Sequence, residues 1–578
     1  MKKRLFKIGF VILSIFALTG CSYIYDLIFG DSSEYSSSSS GSSSQPSSSS
    51  SRSSSKSSST TSSKSSVNSS SSNNSTSQSS SSSSQGEDHS NELKAPSYNY
   101  MDFVHNNAYN ISSTPCIGTP KILVIPVWFS NSDTFISTAK KASVREDIEK
   151  AYFGTNEETG WRSVKSFYYE ESHGALTLNG KVSEWYECSS TYSTYRTDDG
   201  AVTKTCALAK TVTDWYFDNH DESRKDYDYD GDGYLDGVML IYAAPDYGSL
   251  NKDSYTNLWA YCFWAGQSLP PSVENPILNA FFWASYDFMY GSNASSRTGK
   301  TTYAGGDTKY CSIDAHTFIH EMGHMFGLED YYDYSSKSYD PAGSFSMQDH
   351  NVGGHDPFSA YALGWAKAYV PTRSITLELK PFTSSGEVIV LSPSFNSYNS
   401  PFDEYILIEY YTPTGLNEFD VQHQYQSRYP KGASVGGIRL WHVDARLAYA
   451  SNGTFAPYKL TSNPKYTPSQ GVVLAMSNTY DDGKEETAGY LSVLGSNYYN
   501  YNVLQMIRNN TTTTYTPTRE KDALSNNTLF KAGSFFSMDT YGKQFVNRGK
   551  LNADKALGFT FNVDSITDSG ATITINKL

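Results

Sequence analysis

Two kinds of hydrophobic pattern follow one another along the chain. In the first, the apolar runs KILVIPVWFS (121–130) and GVMLIYAA (237–244) predict strands that are buried on both faces. The segment ALTLNGKVSEWYEC (175–188) alternates apolar and polar positions and predicts a strand or a hairpin. Apolar residues at helical spacing predict helices over residues 138–154 and 205–219. This part of the chain is therefore expected to combine helices with a sheet.

After residue 372 the pattern changes to short strands separated by turns. The segments that carry it are SITLELKPF (374–382), EVIVLSP (387–393), EYILIEYY (404–411), GGIRLWHVD (436–444) and LGFTFNVDSITDSGATITINKL (557–578). Short strands at close spacing, with turn residues between them, are typical of β-sandwiches. We therefore predict an α+β fold class, with a mixed domain over residues 93–372 and a C-terminal β-rich, sandwich-type domain over residues 373–578.

The first residues predict export. The segment MKKRLFKIGFVILSIFALTGC begins with basic residues, continues with an apolar run too short to span a bilayer comfortably, and ends in small residues before Cys21. This ending resembles the lipobox of bacterial lipoproteins, in which the cysteine is lipidated and becomes the mature N-terminus. We predict a lipoprotein signal peptide over residues 1–20 and a lipid-anchored N-terminus over residues 21–31. The protein would then lie outside the cytoplasm, at the bacterial cell membrane or surface, and contact the membrane only through this lipid.

A serine-rich segment follows over residues 32–92. It has too few apolar residues to build a core, which predicts a disordered linker. A flexible chain of this length spans on the order of 40 Å, enough to hold a folded domain clear of a membrane. Proteolysis in this linker would release the folded part from its anchor.

Composition and charge exclude one class of partner. The chain has 578 residues, of which 38% are hydrophobic, enough for two or three folded domains. Its formal net charge is −14 and it has no concentrated run of Lys and Arg, which argues against nucleic acid as the main partner. The acidic excess is instead compatible with cation binding. No pattern sets the oligomeric state, and we expect a monomer.

The segment HTFIHEMGHMFGLEDYYDY carries the clearest chemical signal. On a helix, His320 and His324 lie one turn apart on one face, so both imidazoles can bind one metal ion while Glu321 lies beside them. Gly327 can adopt the left-handed conformation that ends a helix, which lets the chain turn back and Asp330 supply a third ligand. Three protein ligands leave the fourth position of a zinc ion for water. An amphipathic helix with incidental histidines would not explain Gly327 and Asp330 at these spacings.

Two neighbouring residues bear on this prediction. His316 lies one turn before His320 and could compete as a ligand, but it would leave Glu321 badly placed. The later segment GSFSMQDHN contains Met347, and a methionine in a tight turn beneath the metal supports the ligand histidines of metzincin-type proteases. Taken alone, this methionine is weak evidence, because most methionines belong to hydrophobic cores.

Together these segments resemble the immune inhibitor A family of secreted metallopeptidases, which have a zincin catalytic domain. HEMGHMFGLEDYYDY is similar to the zinc motif of that family, FSMQD to its Met-turn, and DPFSAYALGWAKAYVP to the segment that closes the catalytic domain. EYILIEYY and GGIRLWHVD are similar to the β-domain that follows. The resemblance covers roughly residues 118–578. It implies a zincin-like metallopeptidase domain over residues 93–372.

The resemblance also implies roles for individual residues. It implies three zinc ligands, His320, His324 and Asp330. Glu329 and Asp333 lie in the same acidic cluster and remain alternatives for the third ligand. Glu321 is implied as the base that takes a proton from the attacking water and later returns it to the leaving amine. A further donor to the tetrahedral oxyanion is expected after the metal helix, and the sequence does not choose among Tyr331, Tyr332, His350, His355 and Tyr361.

A second metal site is predicted in DYDYDGDGYLDG. Its carboxylates are Asp226, Asp228, Asp230, Asp232 and Asp236. Crowding them together is unfavourable without a cation, although a solvated acidic turn is the alternative. The opening matches an EF-hand loop, but the twelfth position is Gly237 rather than Glu, which predicts a shorter calcium loop that is not a helix–loop–helix sensor. Calcium here would stabilise the catalytic domain, and similar loops in the family support this interpretation.

The remaining cysteines and one strand pair carry weaker signals. Cys188 and Cys206 flank a polar loop and are the best candidates for a disulfide. A role for Cys116 as a thiol that blocks zinc in a zymogen is disfavoured, because the stretch before the first strand is too short for a folded prodomain. We interpret His442 and Asp444, at alternating strand positions, as a hydrogen-bonded structural pair rather than a metal site.

Two functional classes follow from the sequence. The first is a surface-anchored zinc endopeptidase that acts on proteins or peptides. The second is a non-catalytic adhesive or binding lipoprotein that retains a metal-stabilised zincin fold. Intact Glu321 favours the enzyme, because a binding scaffold has no need of a general base beside two metal ligands. A metal hydrolase acting on other bonds is a weaker interpretation, since the wider resemblance is to peptidases.

Overall fold

A computed structural model describes most of the chain after the serine-rich segment. The described residues are 93–94, 113–196, 201–246, 250, 257–265, 271–300, 311–332, 341–394, 400–425, 429–451, 454–458, 471–478, 501–511 and 525–578. The predicted signal peptide, Cys21, the whole of the predicted linker and Asp333 lie outside them. All the described residues belong to one compact unit. None of the helices in these ranges is both long enough and apolar enough to cross a membrane.

The strands and helices follow in chain order. The strands are β1 (Leu93–Lys94), β2 (Lys121–Phe129), β3 (Asn179–Val182), β4 (Tyr186–Cys188), β5 (Val238–Tyr242), β6 (Tyr261–Trp264), β7 (Ala280–Ser285), β8 (Lys367–Tyr369), β9 (Ile375–Leu379), β10 (Glu387–Leu391), β11 (Glu404–Tyr411), β12 (Gly437–Asp444), β13 (Leu447–Ser451), β14 (Thr454–Tyr458), β15 (Gly471–Leu474), β16 (Leu504–Ile507), β17 (Phe535–Phe536), β18 (Phe559–Thr567) and β19 (Gly570–Lys577). The α-helices are α1 (Lys141–Phe153), α2 (Asn156–Thr159), α3 (Val164–Glu171), α4 (Ala201–Asn219), α5 (Ala294–Thr298), α6 (His316–Met325), α7 (Pro357–Ala362), α8 (Phe382–Ser385), α9 (Asn417–Gln422) and α10 (Met538–Tyr541). The strands and helices that the hydrophobic pattern predicts in both parts of the chain are confirmed.

The first sheet has the order β3-β2-β5-β7-β6, with β4 also paired to β2. Its pairs are parallel except for the edge strand β6, which runs antiparallel to β7. Along β2, Ile122 and Val124 belong to a hydrophobic cluster that includes residues of α6, whereas Leu123 and Ile125 belong to a second cluster that includes residues of α4. Because helices cover both faces, β2 and β5 are continuous apolar runs rather than alternating ones.

Two further sheets dominate the rest of the chain. One has the order β1-β8-β10-β11-β12-β16, and the other has the order β17-β18-β19-β9. Ile406 and Leu440 of the six-stranded sheet share a hydrophobic cluster with Phe561 and Ile573 of the four-stranded sheet. A small fourth sheet has the order β14-β13-β15, and its strands come between β12 and β16 in sequence.

The opposite face of the six-stranded sheet reaches the core of the first half. Leu407 and Trp441 belong to the same hydrophobic cluster as the apolar residues of α6. The α+β class is confirmed by this mixture of helices and sheets. The β-sandwich assignment and the domain bounds at residue 372 remain predictions, and the shared cluster shows that the core continues across that position.

Candidate metal centre

Helix α6 presents two histidines on its less buried side. Its apolar residues Phe318, Ile319 and Met322 lie in the core, whereas His320 and His324 are half-buried. This division follows from the helical repeat, which places residues four apart on one face.

The helix ends where the sequence predicts. Gly327 has a φ of +97°, and the N–H of Leu328 donates a hydrogen bond to the carbonyl of Gly323 at 3.0 Å. A residue with a side chain adopts this left-handed conformation only at a cost, which explains the glycine. The turn directs the chain back towards the face that carries His324.

Asp330 meets both histidines after this turn. Its Oδ1 lies 3.1 Å from Nε2 of His320 and 3.3 Å from Nε2 of His324. Two ligand atoms that are each 2.0–2.1 Å from one tetrahedral ion are about 3.3 Å apart. One ligand atom from each of the three residues lies within 4.8 Å of the other two, and among the described residues Glu329 does not belong to this cluster. The donor set therefore fits a single four-coordinate ion.

Backbone carbonyls set the tautomer of each imidazole. Nδ1 of His320 donates to the carbonyl of Met347 at 2.7 Å, and Nδ1 of His324 donates to the carbonyl of Leu328 at 2.8 Å. A carbonyl can only accept, so Nδ1 carries a proton in both imidazoles, and Nε2, which faces Asp330, is the nitrogen available to a metal ion. Both histidines are thus oriented as metal ligands by groups behind them.

The predicted Met-turn lies directly against α6. It belongs to the segment of residues 343–355, here named the Met347 loop. The Met347 side chain is fully buried, and Nε2 of Gln348 lies 3.3 Å from Nδ1 of His324. A β-carbon at Gly323 would lie only 2.3 Å from Oε1 of Gln348. Glycine between the two histidines therefore allows the Met347 loop to approach the helix.

The charges of the three candidate ligands are strongly coupled. Burial alone would lower the pKa of His324, but the carboxylate of Asp330 outweighs it and raises that pKa to about 10. The same balance raises the pKa of His320. Burial would raise the pKa of Asp330, but the two imidazoles outweigh it and hold that pKa well below its usual range. The carboxylate is therefore ionised and available as a ligand.

Glu321 is buried beside this group. Burial raises the pKa of Glu321, and the imidazoles of His324 and His320 act in the opposite direction. The thiol of Cys262, on the edge strand β6, donates to the main-chain carbonyl of Glu321 at 2.9 Å. The carboxyl group thus lies within electrostatic range of both histidines, and the main chain of Glu321 contacts the edge strand β6.

The structure separates the five residues considered as oxyanion donors. Tyr331, Tyr361 and His355 are buried in the core. Tyr332 and His350 are half-buried, and their ring centroids lie 4.7 Å apart. Burial raises the pKa of Tyr332, and the carboxylates of the metal centre add to this effect. Tyr332 and His350 are therefore the remaining candidates near the metal centre.

Two histidines that were considered as further metal ligands have other contacts. Nε2 of His316 lies 2.8 Å from the carbonyl of Asn351 in the Met347 loop. His442 bonds through Nε2 to a carboxylate oxygen of Glu404 at 2.9 Å, and Asp444 accepts two hydrogen bonds from a neighbouring arginine. These contacts agree with the structural role predicted for His442 and Asp444.

The disulfide prediction is wrong. Cys188 and Cys206 are free thiols, and Sγ of Cys188 lies 3.8 Å from the hydroxyl of Tyr195. The thiol of Cys116 is buried and donates to the carbonyl of Leu363 at 3.2 Å. A blocking role for Cys116 at the metal centre is therefore not supported, as the sequence predicts.

The acidic loop brings three of its five carboxylates together. Oxygens of Asp228, Asp230 and Asp236 all lie within 4.8 Å of one another. Burial raises the pKa of Asp236 to about 8, with neighbouring carboxylates contributing. Asp226 is exposed in a short 3-10 turn, and Asp232 accepts a hydrogen bond from the N–H two residues later. Asp226 and Asp232 were predicted as ligands, and the structure does not place them in this group.

Several residues of the centre were not found from the sequence. The local spacing of its histidines identifies α6 in the sequence. Cys262 and Gln348 are distant in sequence and contact α6 only because the chain folds. The one available signal was Gly323, since a glycine inside a helix often marks a close approach by another segment.

Comparison with protein families gives a match to part of the chain. Residues 121–253 match the family described as immune inhibitor A peptidase M6, catalytic domain. The matched segment contains β2 to β5, α1 to α4 and the acidic loop, and it ends before α6. No curated protein matches the chain significantly. The motifs that carry the resemblance in the sequence all lie after this segment, so the match supports it from a separate part of the chain. The resemblance is therefore confirmed: over residues 121–253 the chain matches an immune inhibitor A-like metallopeptidase family.

Proposed function

We propose that the protein is a surface-anchored, zinc-dependent endopeptidase that hydrolyses peptide bonds in extracellular proteins. The observation that supports this best is the convergence of His320, His324 and Asp330 beside a buried Glu321. Two imidazole nitrogens and one carboxylate oxygen are a common ligand set for catalytic zinc, because they leave one position open. The metallopeptidase match over residues 121–253 supports the same class of reaction.

His320, His324 and Asp330 would hold the ion through groups that are already oriented. When bound, zinc would polarise the scissile carbonyl and lower the pKa of a coordinated water towards about 7. The carbonyl of Met347 keeps Nε2 of His320 directed at Asp330. Such support behind a ligand reduces the reorganisation that metal binding requires.

Glu321 would act as the general base. Its carboxylate would accept the proton of the attacking water and then deliver it to the leaving amine. Burial raises the pKa of Glu321, which makes the carboxylate a stronger proton acceptor than an exposed glutamate. Tyr332 or His350 would donate a hydrogen bond to the oxyanion of the tetrahedral intermediate.

Calcium is proposed as a structural ion. Asp228, Asp230 and Asp236 would bind it, because oxygen ligands suit this cation and the grouped carboxylates repel one another without it. The loop leads directly into β5. The ion would therefore stabilise the first sheet without taking part in the reaction.

The proposed location rests on the N-terminal segment. Cys21 would carry lipid, and the serine-rich linker would separate the enzyme from the membrane. Full-length Cys21→Ser should lose labelling by radioactive palmitate and appear in the culture medium rather than in membranes. Equal labelling of both forms would refute the lipid anchor without affecting the enzymatic proposal.

The enzymatic proposal is tested by cleavage of unfolded casein. Wild type with stoichiometric zinc should cleave, and Glu321→Gln with the same zinc content should lose activity by about 10³-fold or more, since it lacks the base. Asp330→Asn should instead lose zinc, whereas Glu329→Gln should keep both zinc and activity. If zinc-loaded wild type cleaves neither casein nor a broad peptide library, the adhesive lipoprotein becomes the better interpretation.

A further inference from the structure

The Met347 loop is held by a segment from the C-terminal part of the chain. Asp420 lies on α9 and is buried, with 3% of its surface exposed. Its carboxylate accepts hydrogen bonds from the N–H of Val352 at 2.6 Å and from Nδ2 of Asn351 at 3.1 Å. Both donors belong to the Met347 loop. A single carboxylate therefore ties α9 to the loop that supports the metal centre.

These bonds continue to a metal ligand. Nδ2 of Asn351 also donates to the carbonyl of Gly354 at 2.9 Å, and that carbonyl accepts from the N–H of Met347 at 3.1 Å. The carbonyl of Met347 in turn accepts from His320. The carbonyl of Asn351 is 2.8 Å from Nε2 of His316, so the loop is bonded to α6 at two places. An unbroken set of hydrogen bonds thus joins Asp420 to His320.

The fit around Asp420 leaves little room for the loop to shift. A β-carbon at Gly353 would lie 2.2 Å from Oδ2 of Asp420. The neighbouring Phe419 stacks on Trp161 of the first half, with ring centroids 4.5 Å apart. The carbonyl of Asp420 accepts from the N–H of Gly432 at 2.9 Å. Helix α9 is therefore fixed to both halves of the chain and can transmit its position to the loop.

We propose that Asp420 is a positioning residue for the metal centre. By holding the Met347 loop, Asp420 sets the orientation of His320, and the C-terminal part of the chain is thereby required for a competent site. This inference rests on the proposed function, since it assigns the metal role to His320. It does not depend on which peptide bond is cleaved.

Full-length Asp420→Asn is the test variant. The amide keeps the shape of the side chain but replaces one acceptor oxygen with an N–H₂ group that must face a donor. Groups behind metal ligands typically contribute 10–100-fold to metal affinity or activity. We expect about tenfold weaker binding of Co²⁺, a changed visible spectrum of the bound Co²⁺, and kcat on casein lowered about tenfold with KM within twofold.

Glu404→Gln is the matched control. Glu404 is also buried in the C-terminal part and accepts hydrogen bonds from the backbone, including the N–H of Ala553 at 2.8 Å, but it does not contact the Met347 loop. This variant should lower the melting temperature and leave Co²⁺ affinity, the spectrum and kcat unchanged. Equal metal affinity and spectra for wild type and Asp420→Asn would overturn the proposal, whatever the melting temperature.

Two further outcomes keep the inferences separate. If Asp420→Asn does not fold, Asn351→Ala removes the next hydrogen bonds in the set and must show the same loss of Co²⁺ affinity. If no form of the protein cleaves peptides but Asp420→Asn still changes the Co²⁺ spectrum, the positioning role stands and the peptidase proposal fails.

Discussion

His320 Nδ1 lies 2.7 Å from the carbonyl oxygen of Met347, so the turn at Met347 contacts the candidate metal centre through its backbone. The Met347 side chain contributes in a different way. It is fully buried and belongs to the same hydrophobic cluster as the apolar residues of α6. These two contributions respond differently to substitution.

Met347→Leu is expected to keep the metal and most of the activity. It conserves volume, leaves the carbonyl in place and should cost less than about 1.5 kcal/mol of unfolding free energy. Met347→Ala leaves a cavity and should cost about 2–5 kcal/mol, with weaker metal binding as the loop relaxes. Denaturant unfolding and metal competition measure both effects. Loss of metal from the leucine variant at unchanged stability would show that the thioether itself acts on the site.

Gly323→Ala is expected to weaken the metal centre. Alanine normally stabilises a helix interior by about 1 kcal/mol relative to glycine. Here its β-carbon would lie 2.3 Å from Oε1 and 2.8 Å from Cδ of Gln348, a buried side chain that also contacts His324. The steric clash should outweigh the helix preference, with lower metal affinity and a lower melting temperature.

The double variant Gly323→Ala/Gln348→Ala isolates this contact. Removing the Gln348 side chain gives the new methyl group space, so the loss should be smaller than the sum of the two single losses. A double-mutant cycle on metal affinity measures the difference. Strict additivity would show that the helix and the Met347 loop do not meet at this point.

Contacts between residues close in sequence could be predicted, whereas contacts between distant segments could not. The proximity of His320, Glu321 and His324 could be predicted because one helical turn relates them, and Gly327 marks the turn that brings Asp330 back. Three contacts could not be predicted, because they depend on how distant segments pack. They are the bond from His320 to the carbonyl of Met347, the contact of Gln348 with His324, and the bonds of Asp420 to the Met347 loop. Asp420 gives no local signal, since a single acidic residue on a polar helix is usually solvated.

The acidic loop shows the same limit within one short segment. Alternating aspartates predict a cation site, but the sequence does not tell which side chains turn inwards. Asp232 caps its own turn and Asp226 is exposed, so only the backbone path selects Asp228, Asp230 and Asp236.

Calcium removal should destabilise the protein through that selected group. At saturating Ca²⁺, about 100 times the Kd, the ion should add about 2.7 kcal/mol, and chelation should remove it. Asp230→Asn should lose most of this calcium-dependent rise in melting temperature. Asp226→Asn, which removes the same charge from the same loop, should keep it. Equal losses in the two variants would indicate general electrostatics rather than a site.

Glu222 lies shortly before the acidic loop in sequence, and its carboxylate is bound by three donors. Its carboxylate accepts hydrogen bonds from Lys181 Nζ at 2.7 Å, from the Tyr227 hydroxyl at 2.6 Å and from the Tyr216 hydroxyl at 2.9 Å. Burial alone would raise the pKa of Glu222, but these donors outweigh it and lower the pKa to about 2. The folded state therefore binds this proton less tightly than the unfolded state does.

Acid should remove the free energy of unfolding that Glu222 contributes. This stabilisation should be fully present above the pKa of Glu222 in the unfolded state, about 4.3, and should be lost as pH falls from there to about 2. The side chain is 33% exposed, so solvent screening should limit the contribution to about 1 kcal/mol. Urea unfolding of wild type and Glu222→Gln should thus differ by this amount at pH 7 and converge as pH falls through about 2. Glu149→Gln, which removes an exposed charge, should show no such convergence, and a Glu222 difference that grows in acid would contradict the assignment.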